Sequence, residues 1–120
     1  MKFLLAANEK DPHSKISPVF ARAYFFAIYD TETKIINFVT NEACQSQSGA
    51  GIKAAQLVVD LNIDTLIVVR LGEKSYDILK LANIKVLQTS DDYIENIFVK
   101  ADEGKLPELQ GGLKDFNFHA

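Results

Sequence analysis

The sequence predicts a single α/β domain: a five-stranded mixed sheet, second strand antiparallel, with helices on both faces. Three observations carry this expectation. Aromatic and β-branched runs come early and close together, at residues 2–7, 24–30 and 35–40. From residue 50 onward, helical periodicity alternates with short apolar runs, the pattern of crossover units. Finally, 120 residues with 48% apolar and 24% charged content are enough for one hydrophobic core and far from a disordered composition.

The elements follow in order. Residues 2–7 (Lys-Phe-Leu-Leu-Ala-Ala) form a short apolar run suited to a buried strand. Residues 8–18 are polar, with Pro12, Ser14, Ser17 and Pro18, and make a loop. Residues 24–30 and 35–40 read as two strands, and the brief link between them implies an antiparallel hairpin. After a polar stretch, Gly49-Ala50-Gly51 opens the clearest helix. There Ala54, Leu57, Val58 and Leu61 repeat at helical spacing opposite Lys53, Gln56 and Asp60. The continuous run Leu66-Ile67-Val68-Val69 suggests a strand covered on both faces. A shorter helix should turn Ile78, Leu81 and Ala82 inward, and residues 84–88 supply the last strand. Ser90 is placed to cap a final helix with Asp91 and Asp92 in its first turn and Ile94, Ile97, Phe98 and Ala101 on its buried stripe. Gly104 is placed to end it. Acidic residues scattered over 91–103 read as a solvated helix face. Domain boundaries are expected at 1–104, with a tail over 105–120 whose Phe116 and Phe118 pack on the domain or meet a partner.

Right-handed crossovers run the last strands parallel to the first, which is a ribonuclease H-like three-layer arrangement. They also bring the loops at residues 8–22, 42–48, 70–73 and 88–91 to one sheet edge, where ligands of open α/β sheets bind. That edge gathers His13, Ser14, Arg22, Cys44, Gln45, Gln47, Ser48 and Arg70. The helix start at Gly49 and Gly51 offers N–H groups to an anion, although the same glycines also suit a turn and tight packing. Arg22 and Arg70 read as holders of an anionic ligand or as salt-bridge partners. Cys44 and His13 read as candidate metal ligands or as a small buried hydrophobe and a solvated histidine, and zinc-type spacing is absent.

Several functions are disfavoured. A ribonuclease H-like nuclease needs clustered carboxylates beginning on the first strand, which carries none, and Asp64 falls at the opposite edge. No Ser/His/Asp or Cys/His arrangement marks a nucleophile and its base, so no catalytic residue is assigned. A net charge of −3 provides no general attraction for nucleic acid or anionic lipid. The amino-terminal apolar run stops at Asn8, too short for a signal peptide or a membrane span. The lone Cys44 excludes an internal disulfide, and a cytoplasmic location is expected.

Three ordered segments then add a resemblance: Ser17-Pro18-Val19-Phe20-Ala21-Arg22-Ala23, Gly49-Ala50-Gly51-Ile52-Lys53-Ala54-Ala55-Gln56-Leu57, and Leu71-Gly72-Glu73-Lys74-Ser75-Tyr76-Asp77-Ile78-Leu79 running into Ala82-Asn83-Ile84-Lys85-Val86. With the element order, they make residues 1–103 resemble the dinitrogenase iron–molybdenum cofactor biosynthesis family, the domain shared by NifX, NifY and the carboxyl-terminal part of NifB. The resemblance implies a non-catalytic carrier of a metal–sulfur cluster such as the iron–molybdenum cofactor; a cofactor-assembly protein is the expected partner, and the sequence leaves a homodimer open. Loop convergence and the matched segments together place the expected cofactor contacts at Arg22, Gln47, Ser48, Gly49, Gly51, Arg70 and Gly72, and the loop reading offers Cys44 and His13 as candidate metal ligands. One departure stands out. Many members carry histidine just before the glycines of the first helix, where this chain reads Cys44-Gln45-Ser46-Gln47-Ser48. Either Cys44 replaces that ligand, or the chain is an interaction module that keeps the fold without the metal. An enzyme using Cys44 as nucleophile is the third alternative.

Overall fold

The computed structural model describes residues 1–114; Phe116 and Phe118 lie outside the described residues. Five strands form one sheet: β1 (Lys2–Ala7), β2 (Phe25–Asp30), β3 (Ile36–Thr40), β4 (Thr65–Val68) and β5 (Lys85–Gln88), ordered β3-β2-β1-β4-β5. Strand β2 is antiparallel to both neighbours, while β1, β4 and β5 are mutually parallel. The mixed sheet is therefore the one the sequence predicts. Three helices complete it: α1 (Ala50–Asp60), α2 (Glu73–Leu81) and α3 (Ile94–Asp102).

Alternation along the strands divides the core into two layers. Leu4, Ala6, Leu66, Val68 and Val86 face α1 and α2, whereas Phe3, Leu5, Ala7 and Ile67 face α3. β1 and β4 lie inside the sheet with helices on both sides, so both of their faces are apolar and no polar alternation is visible in their sequence. On the α1 side the fully buried residues are small, Ala54, Ala55 and Val58, with Leu57 and Leu61 flanking them at partial burial.

Two expectations are corrected. Ile78 packs against the core, but Leu81 is 86% exposed and Ala82 is also exposed; the buried residues of α2 are Ser75 and Leu79. Ser75 faces Gly51 of α1, and that contact sets the phase of the helix. Leu81, two positions beyond Leu79, is turned about 200° away from the core. Nor does Ser90 cap α3, which begins at Ile94 with no side-chain cap. The loop after β1 takes that role with its backbone, since the Ser14 carbonyl accepts from the Ile94 N–H at 2.9 Å and the Pro12 carbonyl from Glu95 at 3.2 Å. The expected stop at Gly104 is observed: its φ is +72°, and its N–H and that of Lys105 donate to the carbonyls of Ala101 and Lys100 in a Schellman closure.

Candidate functional site

Four segments converge at the edge where β1, β3, β4 and β5 end. Two 3-10 turns, Phe20–Arg22 before β2 and Glu42–Gln45 after β3, pack against α1 and against each other. Asn41 joins them. Its amide is fully buried, donates to the carbonyls of Ala21 and Ala23 at 3.1 and 2.9 Å, and accepts from the Ala43 N–H at 3.1 Å. The Arg22 guanidinium makes a second clasp, donating from Nη1 to the carbonyls of Cys44 and Ser46 at 3.1 and 2.6 Å. Two acceptors leave most of its five N–H donors for other partners. It forms no ion pair with a carboxylate among the described residues.

Beside this clasp lies a cleft of about 680 Å3, within the range of small-ligand sites. Arg22, Gln47, Ser48, Gly49 and Gly51 line it from the α1 side; Gly72, Glu73, Lys74 and Ser75 line it from the α2 side, and Leu113 and Lys114 complete its wall. Both helices therefore start at the cleft, and neither start has a side-chain cap. Uncapped first-turn N–H groups and the positive end of each helix dipole favour an anion there. With Arg22, Lys74 and Lys114 against Glu73, the lining carries more positive than negative charge.

The glycines differ in what they do. Gly49 has a φ of +70°, which the turn into α1 requires. At Gly51 a Cβ would lie 2.9 Å from the Ser75 Oγ, so this glycine lets the two helix starts approach. Gly72 has neither constraint. Its φ is −71°, and a Cβ there would meet nothing within 4 Å. No demand of the fold explains its missing side chain, which leaves the cleft open at the start of α2.

Six of the sequence-derived candidates thus meet at one cleft: Arg22, Gln47, Ser48, Gly49, Gly51 and Gly72. Three do not line it. Arg70 is exposed on the loop leading to Gly72. Cys44 is a half-buried free thiol outside the lining, and its carbonyl accepts from Arg22. His13 lies with α3 on the other layer, its Nδ1 2.9 Å from Glu95 Oε1 and its side chain 74% exposed, so it does not join Cys44. The loop after β1 leaves from the same edge but crosses toward α3, held by the Ile16 N–H on the Asp92 carbonyl at 3.0 Å. No group of three His, Cys, Asp or Glu side chains able to hold a metal ion occurs among the described residues. No helix among them is long and apolar enough to cross a membrane. Sequence reasoning missed Asn41, Lys74, Leu113 and Lys114. Asn41 is joined to Ala21 and Ala23 only by folding, Lys74 lies in the first turn of α2, and Leu113 and Lys114 are recognisable only once the tail is seen to reach that helix start.

Comparison with known proteins agrees with this fold. The family described as dinitrogenase iron-molybdenum cofactor matches residues 1–104. An uncharacterised protein of Methanocaldococcus jannaschii is 27% identical over 101 residues, covering 82% of this chain and 86% of its own. The apo form of the orange protein from Desulfovibrio gigas aligns with a TM-score of 0.87 at 26% identity, over 94% of this chain and 96% of that one. A Thermotoga protein described as a NifB protein aligns with a TM-score of 0.81 at 30% identity, over 96% and 98% of the two chains.

Proposed function

The chain belongs to the dinitrogenase iron–molybdenum cofactor family, and from that premise we propose that it carries a small anionic metal–sulfur cluster in the cleft between the starts of α1 and α2. The observation that carries the reading is the convergence on one cleft of two helix starts without side-chain caps, beside Arg22, a cation without a carboxylate partner among the described residues. The donor set fits such a cargo in a particular way. Backbone N–H groups, the Ser48 hydroxyl, the Gln47 amide and the cations address the outer, negatively charged atoms of a preformed cluster rather than its metal centres. Held only by hydrogen bonds and charge, a cluster can be received and released intact, which suits carriage or assembly and needs no catalytic residue. Cys44, a free thiol in the turn just before the lining, is the soft ligand that this reading leaves open, and a Cys44→Ala variant separates any contribution it makes.

One observation favours a second reading, an interaction module without cargo. Gly49, Gly51 and Arg22 each have structural duties that explain them without a ligand. The two readings part in a direct experiment. Anaerobically purified protein is mixed with tetrathiomolybdate, a small metal–sulfide dianion, and the metal and visible absorbance retained after gel filtration are measured. Cargo binding predicts stoichiometric retention that falls with salt. It also predicts a loss of about tenfold or more in Gly72→Val, which fills the opening without straining the backbone. No retention by the native chain, with iron, molybdenum and copper all tested, would favour the interaction module.

A further inference from the structure

Residues 105–114 lie beyond the family match, yet they return across the molecule to the cleft. Their path is built by main-chain hydrogen bonds. The Gln88 N–H donates to the Pro107 carbonyl and the Leu109 N–H to the Val86 carbonyl, both at 2.8 Å, so the segment pairs along the free edge of β5. Leu109 packs on the core layer of α1 and α2, and its carbonyl accepts from the Tyr76 hydroxyl at 3.2 Å. The chain then reaches the start of α2. There the Leu113 N–H donates to the Leu71 carbonyl at 2.8 Å, and the Leu113 carbonyl accepts from the Glu73 N–H at 3.0 Å. Gly112 makes this approach close: a Cβ on it would lie 2.4 Å from Glu73 Cα and 2.6 Å from the Gly72 carbonyl oxygen, both main-chain atoms that cannot rotate aside.

We infer that residues 105–114, which follow the segment the family model matches, form a wall of the cargo cleft and set its selectivity. The inference rests on the cargo reading above. Leu113, 45% exposed, contributes an apolar surface, and Lys114 contributes a cation opposite Arg22's side of the cleft. The segment also takes the Glu73 N–H for itself, leaving the donors of Lys74 and Ser75 at that helix start. The wall thus narrows the cleft and adds charge at once, favouring a compact polyanion over a bulky or neutral guest.

The test uses the purified 120-residue chain, Gly112→Val, Lys114→Glu and a chain ending at Gln110, each titrated with tetrathiomolybdate and with the larger, neutral dye Nile red. Thermal melting of every protein monitors the fold. Gly112→Val and the shortened chain should bind the dianion about tenfold more weakly and the dye more strongly. Lys114→Glu, a change at an exposed side chain that leaves the fold intact, should weaken the dianion roughly three- to fivefold in low salt with no effect on the dye. Unchanged dianion affinity in Lys114→Glu and Gly112→Val, with the native chain binding, overturns the wall alone. Tighter binding in the shortened chain also overturns it, because the segment is then a plug. A native chain that binds no dianion overturns the cargo reading and this inference with it.

Discussion

Asn41 sits at the end of β3 with no solvent exposure, and its side-chain amide bonds to Ala21, Ala23 and Ala43. These bonds lock the turn bearing Arg22 to the turn bearing Cys44, so Asn41 positions the cation of the cleft without lining it. Asn41→Ala would strand two buried carbonyls and one N–H, and denaturant unfolding should show a loss of about 2–4 kcal/mol. Asn41→Asp should cost at least as much, because a carboxylate cannot donate to the carbonyls of Ala21 and Ala23. A loss below about 1 kcal/mol in both would mean that the joint is held elsewhere. Little in the sequence separates Asn41 from its polar neighbours: its bond to the Ala43 N–H is local, but the Ala21 and Ala23 carbonyls that make it a joint are brought to it only by folding. Arg22 and the glycines were legible for a different reason. Their chemistry is local: a cation ahead of a strand, and small residues at a helix start.

Among the elements, the strands and their order were readable because each is a short run of apolar residues in a simple alternation of strand and helix. The phase of α2 was not. Ile78, Leu81 and Ala82 make a plausible stripe, but the helix is seated by Ser75 against Gly51, a pair that hydrophobicity does not reveal. Both crossover helices close in the same way, with Asn62 and Asn83 in the left-handed region at φ of 57° and 61°, each followed by a buried isoleucine. That repeat, Asn-Ile before a strand, is visible in the sequence once its role is known. The contact of α1 with α2 gives a prediction. Gly51→Ala gains helix propensity, up to about 1 kcal/mol, but drives a methyl against the Ser75 Oγ. In a Ser75→Ala background the collision disappears, so Gly51→Ala should be more favourable there than in the native chain. Equal effects in the two backgrounds, measured by chemical denaturation, would show that the helices are not in contact at this point.

At the scale of the whole molecule, right-handed crossovers dictate which strand ends share an edge, and this made the convergence of Arg22, Gly49 and Gly72 legible before any coordinates. The path of a long loop is not governed by that rule, so His13 could not be placed. One polar tie spans the α3 layer and joins elements far apart in sequence. Asp102 at the end of α3 accepts from the Tyr29 hydroxyl of β2 at 2.9 Å and from Lys34 Nζ in the hairpin turn at 2.6 Å. Lys34 and Tyr29 hold the Asp102 carboxyl below its ordinary range, while burial and Asp102 hold the Tyr29 phenol above its own. Asp102 in turn keeps the Lys34 ammonium charged to higher pH. The signs follow from linkage. A depressed carboxyl contributes stability that is present above the unfolded value of about 4 and disappears as pH falls through the lower folded value. A raised phenol and a raised ammonium contribute stability that is complete below about 10 and disappears as pH rises through the higher folded values. The tie therefore strengthens the fold across the middle of the pH range and weakens at both ends. Melting temperatures of the native chain and Asp102→Asn, taken from roughly pH 2 to pH 11, should differ most near neutrality and converge at the acid limit. A constant difference across that range would mean that Asp102 acts through packing alone, and that the hairpin and α3 are joined by their apolar contacts of Tyr29 with Phe98.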